Sequence, residues 1–403
     1  MFLTVSKRLE FSASRRLYVP SWTESENLVA FGPESAAKHG SGRNYVAYFV
    51  FSGEVDPETG MLINISQIKQ RAGGIVDEQY DHKFLNEDNP VFRKVPPTPG
   101  NIATQLYQEV APLFADVNAR LVAVHLREAP GRSATVYDNG ARDSHHWFEF
   151  SAARRTRSPQ LSDKENERLF GNAIGIHGHN YRVRLTFRDE TPRGEKGTVR
   201  YDDLEHCINS LRTEMDHRYL NEDVAALRDR PMTTESLAEY IYQRVNAHVR
   251  LHRVRLHERD DFFAEVFEDE SRFLGMRMPF NAAHRLHVKS FSAGQNEALF
   301  GKCNNAAGHG HHYVAEATIS GKYDPKTGTL ADFVKLQKIL SKAVAKWNDR
   351  HLDLDTDDFK KSPSTGENIV RTLWDKLDEP LEEKLARLRL WETKNNRFTL
   401  RRT

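Results

Sequence analysis

Two cysteines in 403 residues, Cys207 and Cys303, are too few and, at 96 positions apart, too isolated for a disulfide scaffold. They point instead to a reducing compartment. No apolar run approaches the ~20 residues of a membrane-spanning helix. The opening stretch Met1-Phe2-Leu3-Thr4-Val5-Ser6-Lys7-Arg8 meets charge too soon for the apolar segment of a signal peptide, so a cytoplasmic protein is expected. Charge of one sign is also missing: Lys+Arg 58 against Asp+Glu 57 leaves +1. A chain with no global positive field is not expected to bind nucleic acid or an anionic membrane. Low-complexity linkers are absent. What is present is a hydrophobic share of 38%, enough to build cores, and 18 histidines. At roughly 100–200 residues per domain, the length suggests two to four domains or one large one.

The chain repeats itself. Phe11-Ser12-Ala13-Ser14-Arg15-Arg16-Leu17 returns as Phe150-Ser151-Ala152-Ala153-Arg154-Arg155-Thr156 and as Phe280-Asn281-Ala282-Ala283-His284-Arg285-Leu286. A turn ending in tyrosine recurs as Gly42-Arg43-Asn44-Tyr45, Gly178-His179-Asn180-Tyr181 and Gly310-His311-His312-Tyr313. Asp81-His82-Lys83-Phe84-Leu85-Asn86 matches Asp216-His217-Arg218-Tyr219-Leu220-Asn221 and is altered to Asn348-Asp349-Arg350-His351-Leu352-Asp353. A glutamate closes an alternating stretch at Glu128, Glu258 and Glu392. Tyr45 to Tyr181 is 136 residues and Tyr181 to Tyr313 is 132; the glutamates are 130 and 134 apart. This is the signature of three tandem domains, with bounds 1–139, 140–271 and 272–403.

Each repeat reads alike. Val314–Ser320 has strand composition, and Tyr323-Asp324-Pro325-Lys326-Thr327-Gly328 supplies a turn, as do Asp56-Pro57-Glu58-Thr59-Gly60 and Arg193-Gly194-Glu195-Lys196-Gly197. Phe333, Leu336, Leu340, Val344 and Trp347 keep helical spacing. A second helix starts near Gly366-Glu367-Asn368, and two short strands end around Glu392 and Leu400. The order strand–strand–helix–helix–strand–strand predicts an α+β domain: a four-stranded antiparallel sheet with two helices on one face.

In the third repeat, His309 and His311 are spaced by two at the start of a strand, so their rings share a face. His284 ends the preceding strand. Three imidazoles with a fourth position open suit catalytic zinc, Zn2+. Cys303 lies six residues before His309, and a thiol near a metal and Lys302 is expected to have a depressed pKa. Cys207, on a predicted helix, reads as an inert buried thiol.

Phe280–His284, the Cys303-to-His309 spacing, Gly308-His309-Gly310-His311-His312-Tyr313 and Trp391-Glu392-Thr393-Lys394-Asn395-Asn396 together resemble the 6-pyruvoyltetrahydropterin synthase family. The resemblance covers the third repeat fully and the other two more weakly. It implies the tunnelling fold, whose sheets join edge to edge in threes as a β-barrel, here a pseudo-trimer within one chain. Two such barrels stack in the family, which implies a homodimer here. It also implies zinc-dependent conversion of 7,8-dihydroneopterin triphosphate to 6-pyruvoyltetrahydropterin with loss of triphosphate. The zinc ligands then fall on His284, His309 and His311, and the proton-abstracting thiol on Cys303. The pterin-anchoring carboxylate falls on Glu392, and Thr365 and Glu367 join the substrate site. Two other readings stand beside this one. One is 6-carboxytetrahydropterin synthase, which acts on the same substrate, though Asn304-Asn305 and Thr393–Asn396 favour the pyruvoyl enzyme. The other is a pterin- or purine-binding module without turnover.

The family's Asp-His pair is displaced. His82 to Gly100, His217 to Glu235 and Asp349 to Glu367 are each 18 residues, so Asp349 stands where the others have histidine. The first two repeats keep Asp81-His82 and Asp216-His217 but lose metal ligands. Arg15, Ser41 and Arg43 replace all three in the first repeat. The second retains His177 and His179 but has Arg154 for the third ligand and Ala173 for the cysteine, with His145 and His146 the nearby candidates to replace it. The resemblance therefore implies one complete site, with Cys303 and zinc from the third repeat and Asp-His from a neighbour.

Overall fold

A computed structural model describes residues 1–128, 131–189 and 199–403. The turn expected at Arg193–Gly197 lies outside them. The alternating stretches form twelve long strands. The first repeat supplies β1 (Phe2–Arg15), β2 (Ser41–Gly53), β3 (Ala119–Glu128) and β4 (Arg132–Tyr137). The second supplies β5 (Arg142–Arg154), β6 (His177–Asp189), β7 (Arg253–Arg259) and β8 (Phe262–Phe267). The third supplies β9 (Arg272–His284), β10 (His309–Ser320), β11 (Leu385–Thr393) and β12 (Asn396–Arg401).

Each of these strands pairs antiparallel with its sequence neighbours. β12 returns to β1, with Phe2 opposite Arg401 and Lys7 opposite Asn396. The sheet therefore closes as a twelve-stranded barrel, the ring expected from three tandem tunnelling-fold domains. Closure satisfies the backbone groups that an open edge would expose. Tight turns join β4 to β5 near Gly140 and β8 to β9 near Glu270, both with positive φ.

The helix pairs are α1 (Ile65–Gln79) with α2 (Pro99–Val110), α3 (Tyr201–Met215) with α4 (Thr234–Asn246), and α5 (Phe333–Ala345) with α6 (Gly366–Asp378). The spacing read in α5 is the face it buries: Leu336, Leu340 and Val344. They share one buried core with Ile369, Leu373 and Leu377 of α6 and Ala315, Ala317 and Ile319 of β10. The aromatic residues of the first two sequence markers stack face to face in every repeat. Ring centroids are 4.7 Å apart for Phe11–Tyr45, 4.9 Å for Phe150–Tyr181 and 5.0 Å for Phe280–Tyr313.

Period-two alternation sends the intervening residues of these strands to the opposite face, away from the helices and into the lumen. There the charge is dense and mostly positive. Arg255 and Arg389 donate to Glu316 at 3.1 and 3.0 Å, and Arg387 donates to Glu265 at 2.9 Å. Both glutamates are fully buried and lie well below the usual carboxylate range: burial opposes ionisation, but the surrounding arginines outweigh it. Among the described residues no helix is long and apolar enough to cross a membrane.

Candidate active site

The β9–β10 register places His284 opposite His309 and Ala282 opposite His311, so the three rings gather at one end of the barrel wall. One ring nitrogen from each lies within 4.8 Å of the others. His284 Nδ1 donates to the Ser364 carbonyl at 2.9 Å, which fixes its tautomer and turns Nε2 inward, 3.2 Å from His309 Nε2. Burial, reinforced by the neighbouring rings, lowers the His309 pKa to about 4, so this ring stays neutral at physiological pH. His311 Nε2 is buried without a hydrogen-bond partner. Three converging imidazoles with an orphaned acceptor are a donor set that fits zinc.

The other sequence candidates of this repeat fall around these rings. A helix at Ala293–Phe300, opened by the Ser292–Gln295 capping box, ends at Gly301 with φ of 52°. This left-handed turn leads into the short segment that carries Cys303. The Cys303 carbonyl accepts from Leu286 N at 3.0 Å, tying the thiol to the strand end two residues past His284. Burial and the Glu392 carboxylate push the Cys303 thiol above its ordinary value, with Lys302 opposing. The depressed pKa expected from sequence is therefore not what the chain's own groups produce. Glu392 Oε1 lies 3.8 Å from His284 Nε2 and 3.9 Å from His311 Nε2, and Asn396 donates to its other oxygen at 2.9 Å.

Thr365 and Glu367 sit on the seam with the first domain. Thr365 caps α6 and donates to Gly60 O at 2.7 Å, while Glu367 accepts from Leu62 N at 2.9 Å. Burial raises the Glu367 pKa to about 7. His351 packs on Gly308, next to His309, with both ring nitrogens unpartnered and Asp353 Oδ2 at 3.8 Å. Cys207 is buried in α3, and burial raises its thiol pKa, as its inert reading requires.

The Asp-His pairs are not drawn to this site within the chain. Asp81 accepts from Ser12 N at 2.8 Å and from His82 Nδ1 at 2.8 Å; Asp216 accepts from Ser151 N at 2.8 Å and lies 3.1 Å from His217 Nδ1. The histidine side chains are 84% and 81% exposed. His82, His217 and the substituted Asp349 share the same left-handed φ of 55°, 55° and 56°, which supports the ungapped register. In the third domain Asn348 takes over the backbone role, accepting from Asn281 N at 2.9 Å. The turn therefore forms without the Asp-His chemistry.

In the second domain His177 and His179 do have a third group, but it is neither His145 nor His146. Those rings lie at least eight positions back along β5 from Arg154, about 26 Å at ~3.3 Å per residue. The group is Glu258, which lies within 4.8 Å of both histidines, with Oε1 2.9 Å from His179 Nε2. In the sequence Glu258 is a repeat marker, the counterpart of Glu392, with no metal role expected of it.

A family model described as 6-pyruvoyl tetrahydropterin synthase matches the chain three times, over residues 4–139, 145–269 and 274–403. Among curated proteins, a putative 6-pyruvoyl tetrahydrobiopterin synthase of Caenorhabditis elegans is 39% identical over 122 residues, covering 30% of this chain and 87% of that protein. The 6-pyruvoyl tetrahydrobiopterin synthase of Homo sapiens is likewise 39% identical over 122 residues, covering 30% and 84%. Among solved structures, Caenorhabditis elegans 6-pyruvoyl tetrahydropterin synthase aligns with a TM-score of 0.31 at 36% identity, covering 32% of this chain and 95% of that one.

Proposed function

Because the chain belongs to the 6-pyruvoyl tetrahydropterin synthase family, we propose that its third domain is a zinc-dependent lyase site converting 7,8-dihydroneopterin triphosphate to 6-pyruvoyltetrahydropterin and triphosphate. The observation that carries this reading is the convergence of His284, His309 and His311 beside both Cys303 and Glu392. His284, His309 and His311 hold the zinc, which supplies Lewis acidity toward the substrate's side-chain hydroxyls when bound. Glu392 accepts the amino and ring N–H groups of the pterin. Cys303 takes the proton whose loss expels triphosphate. Thr365 and Glu367 hold the wall of the site against the neighbouring domain. Mass spectrometry of products from dihydroneopterin triphosphate tests the reading. A carboxy product assigns the chain to the carboxytetrahydropterin branch, and unchanged substrate assigns it to binding alone. Zinc content should be one equivalent per chain and fall to none in His309→Ala; a variant that keeps its zinc removes these ligands from the reading.

One of the exposed histidines, His82 or His217, completes the site from a second copy, two barrels stacking as a homodimer. Each imidazole is held by the aspartate before it while its side chain stays 84% or 81% exposed, the presentation that a site completed by a second copy needs. One of His82→Ala and His217→Ala should cost at least a hundredfold in rate and the other little. If both keep full activity, the shared site is wrong.

A further inference from the structure

The first two domains carry arginine where the third has its first zinc ligand, and both side chains point into the old site. Arg15 is 0% exposed and pairs with Glu128; Arg154 is 2% exposed and pairs with Glu258. The partner they have in common is the repeat's own strand-end glutamate; Arg15 also reaches Glu34 at 3.0 Å, and Arg154 donates to Thr234 at 3.1 Å. Glu128 faces Tyr45 across β2–β3, and Glu258 follows His257, which faces Arg182 just beyond Tyr181 across β6–β7. A guanidinium presents a planar fork of N–H groups to a carboxylate. That N–C–N edge is also what a 2-amino-pyrimidinone ring presents. At the equivalent Glu392 the ring nitrogens of His284 and His311 stand nearly 4 Å away, and Asn396 engages only one oxygen.

We propose that Arg15 and Arg154 are resident occupants of the first two sites, each guanidinium standing in for metal and ligand together, and that the second domain keeps a latent zinc site which Arg154 alone holds closed. The metal half of this rests on reading the third-domain histidines as a zinc site.

The β5–β6 register sets Arg154 opposite His177 and Ala152 opposite His179. This is the register that sets His284 opposite His309 and Ala282 opposite His311. A histidine at 154 would therefore enter the same three-ring geometry, with Glu258 alongside. In the native chain a fixed, buried positive charge sits at that point, and Glu258 Oε2 is already engaged by Arg154 and Thr234. A divalent cation entering there meets both repulsion and a spent carboxylate. The first domain differs. Ser41 and Arg43 replace the other two ligands, and Arg43 Nε adds a second contact to Glu128 at 3.0 Å, so no single substitution reopens it.

The test is metal content of the full-length protein, with zinc counted by atomic absorption and cobalt(II) by its tetrahedral absorption bands. Wild type should bind one equivalent, Arg154→His two, and Arg15→His still one. Two equivalents in wild type, or one in a folded Arg154→His protein, overturns the proposal. If Arg154→His does not fold, Arg154→Ala carries the test, since added imidazole supplies the missing ring. Bound cobalt should then rise from one to two, and a value fixed at one overturns the proposal. None in wild type with one in Arg154→His would sink the third-domain zinc reading while leaving this one standing.

Discussion

Alanine at Cys303 lowers turnover of dihydroneopterin triphosphate at least a thousandfold while zinc stays at one equivalent per chain. The thiol is the group assigned to proton transfer and is not among the three converging histidines. A positioned acid–base group contributes about 10²–10⁴ in rate, and Cys303 is the group of its segment to which the proton transfer is assigned. Folding should survive, because the segment is held by the Cys303 carbonyl to Leu286 N and by the Gly301 turn, neither of which involves sulfur. The loss should appear in the single-turnover rate with little change in substrate affinity. A variant within tenfold of wild type would take Cys303 out of the mechanism.

The same chemical change, glutamate to glutamine, should act in opposite ways in the second and third domains. Glu258→Gln leaves the Arg154 guanidinium buried without its counter-charge, and breaking a buried pair from one side costs about 3–5 kcal/mol. The direction of the Glu258 pKa agrees. Burial pushes it up, yet the Arg154 charge and the bonds from His179 and Thr234 hold it well below the usual carboxylate range. Its contribution to stability is thus present at neutral pH and is lost as pH falls through the depressed folded-state value. Glu392→Gln removes a carboxylate with no arginine partner and should leave thermal stability nearly unchanged. It should instead lower kcat/KM by about a thousandfold, since the pterin's donor pair loses half its acceptor. Thermal melts and steady-state kinetics on both variants check this. Equal melting temperatures would show that Arg154 and Glu258 do not depend on each other.

The repeats, the element order and the third-domain histidine cluster were legible because each rests on local spacing: two residues along a strand for His309 and His311, three to four along a helix for Leu336, Leu340 and Val344. Pairings across the sheet were not. Arg154 and Glu258 are 104 residues apart and meet only because β5, β6 and β7 lie side by side. The lumen was equally hidden. Arg387, Arg389, Arg255 and Glu316 alternate with leucine, valine and alanine, the pattern that a solvated strand face also gives. Buried Asn27, Asn166 and Asn296 carried no signal either. Each side-chain amide donates to a backbone carbonyl eight residues back and accepts from the same residue's N–H, closing the loop ahead of its short helix.

The seam between β1 and β12 has a kinetic meaning. Eleven of the twelve barrel pairings join strands consecutive in the chain, so they form by closing loops within a repeat or a short turn between repeats. The twelfth brings Phe2 to Arg401, the widest sequence separation of any pairing in the barrel. Loop-closure entropy grows with separation, and contacts of long range slow folding. Each repeat can therefore condense on its own helices first, and the circle is completed last, by six residue pairs between β1 and β12. Until then the first and final strands are open edges, and a chain leaving the ribosome carries the first of them exposed throughout its synthesis.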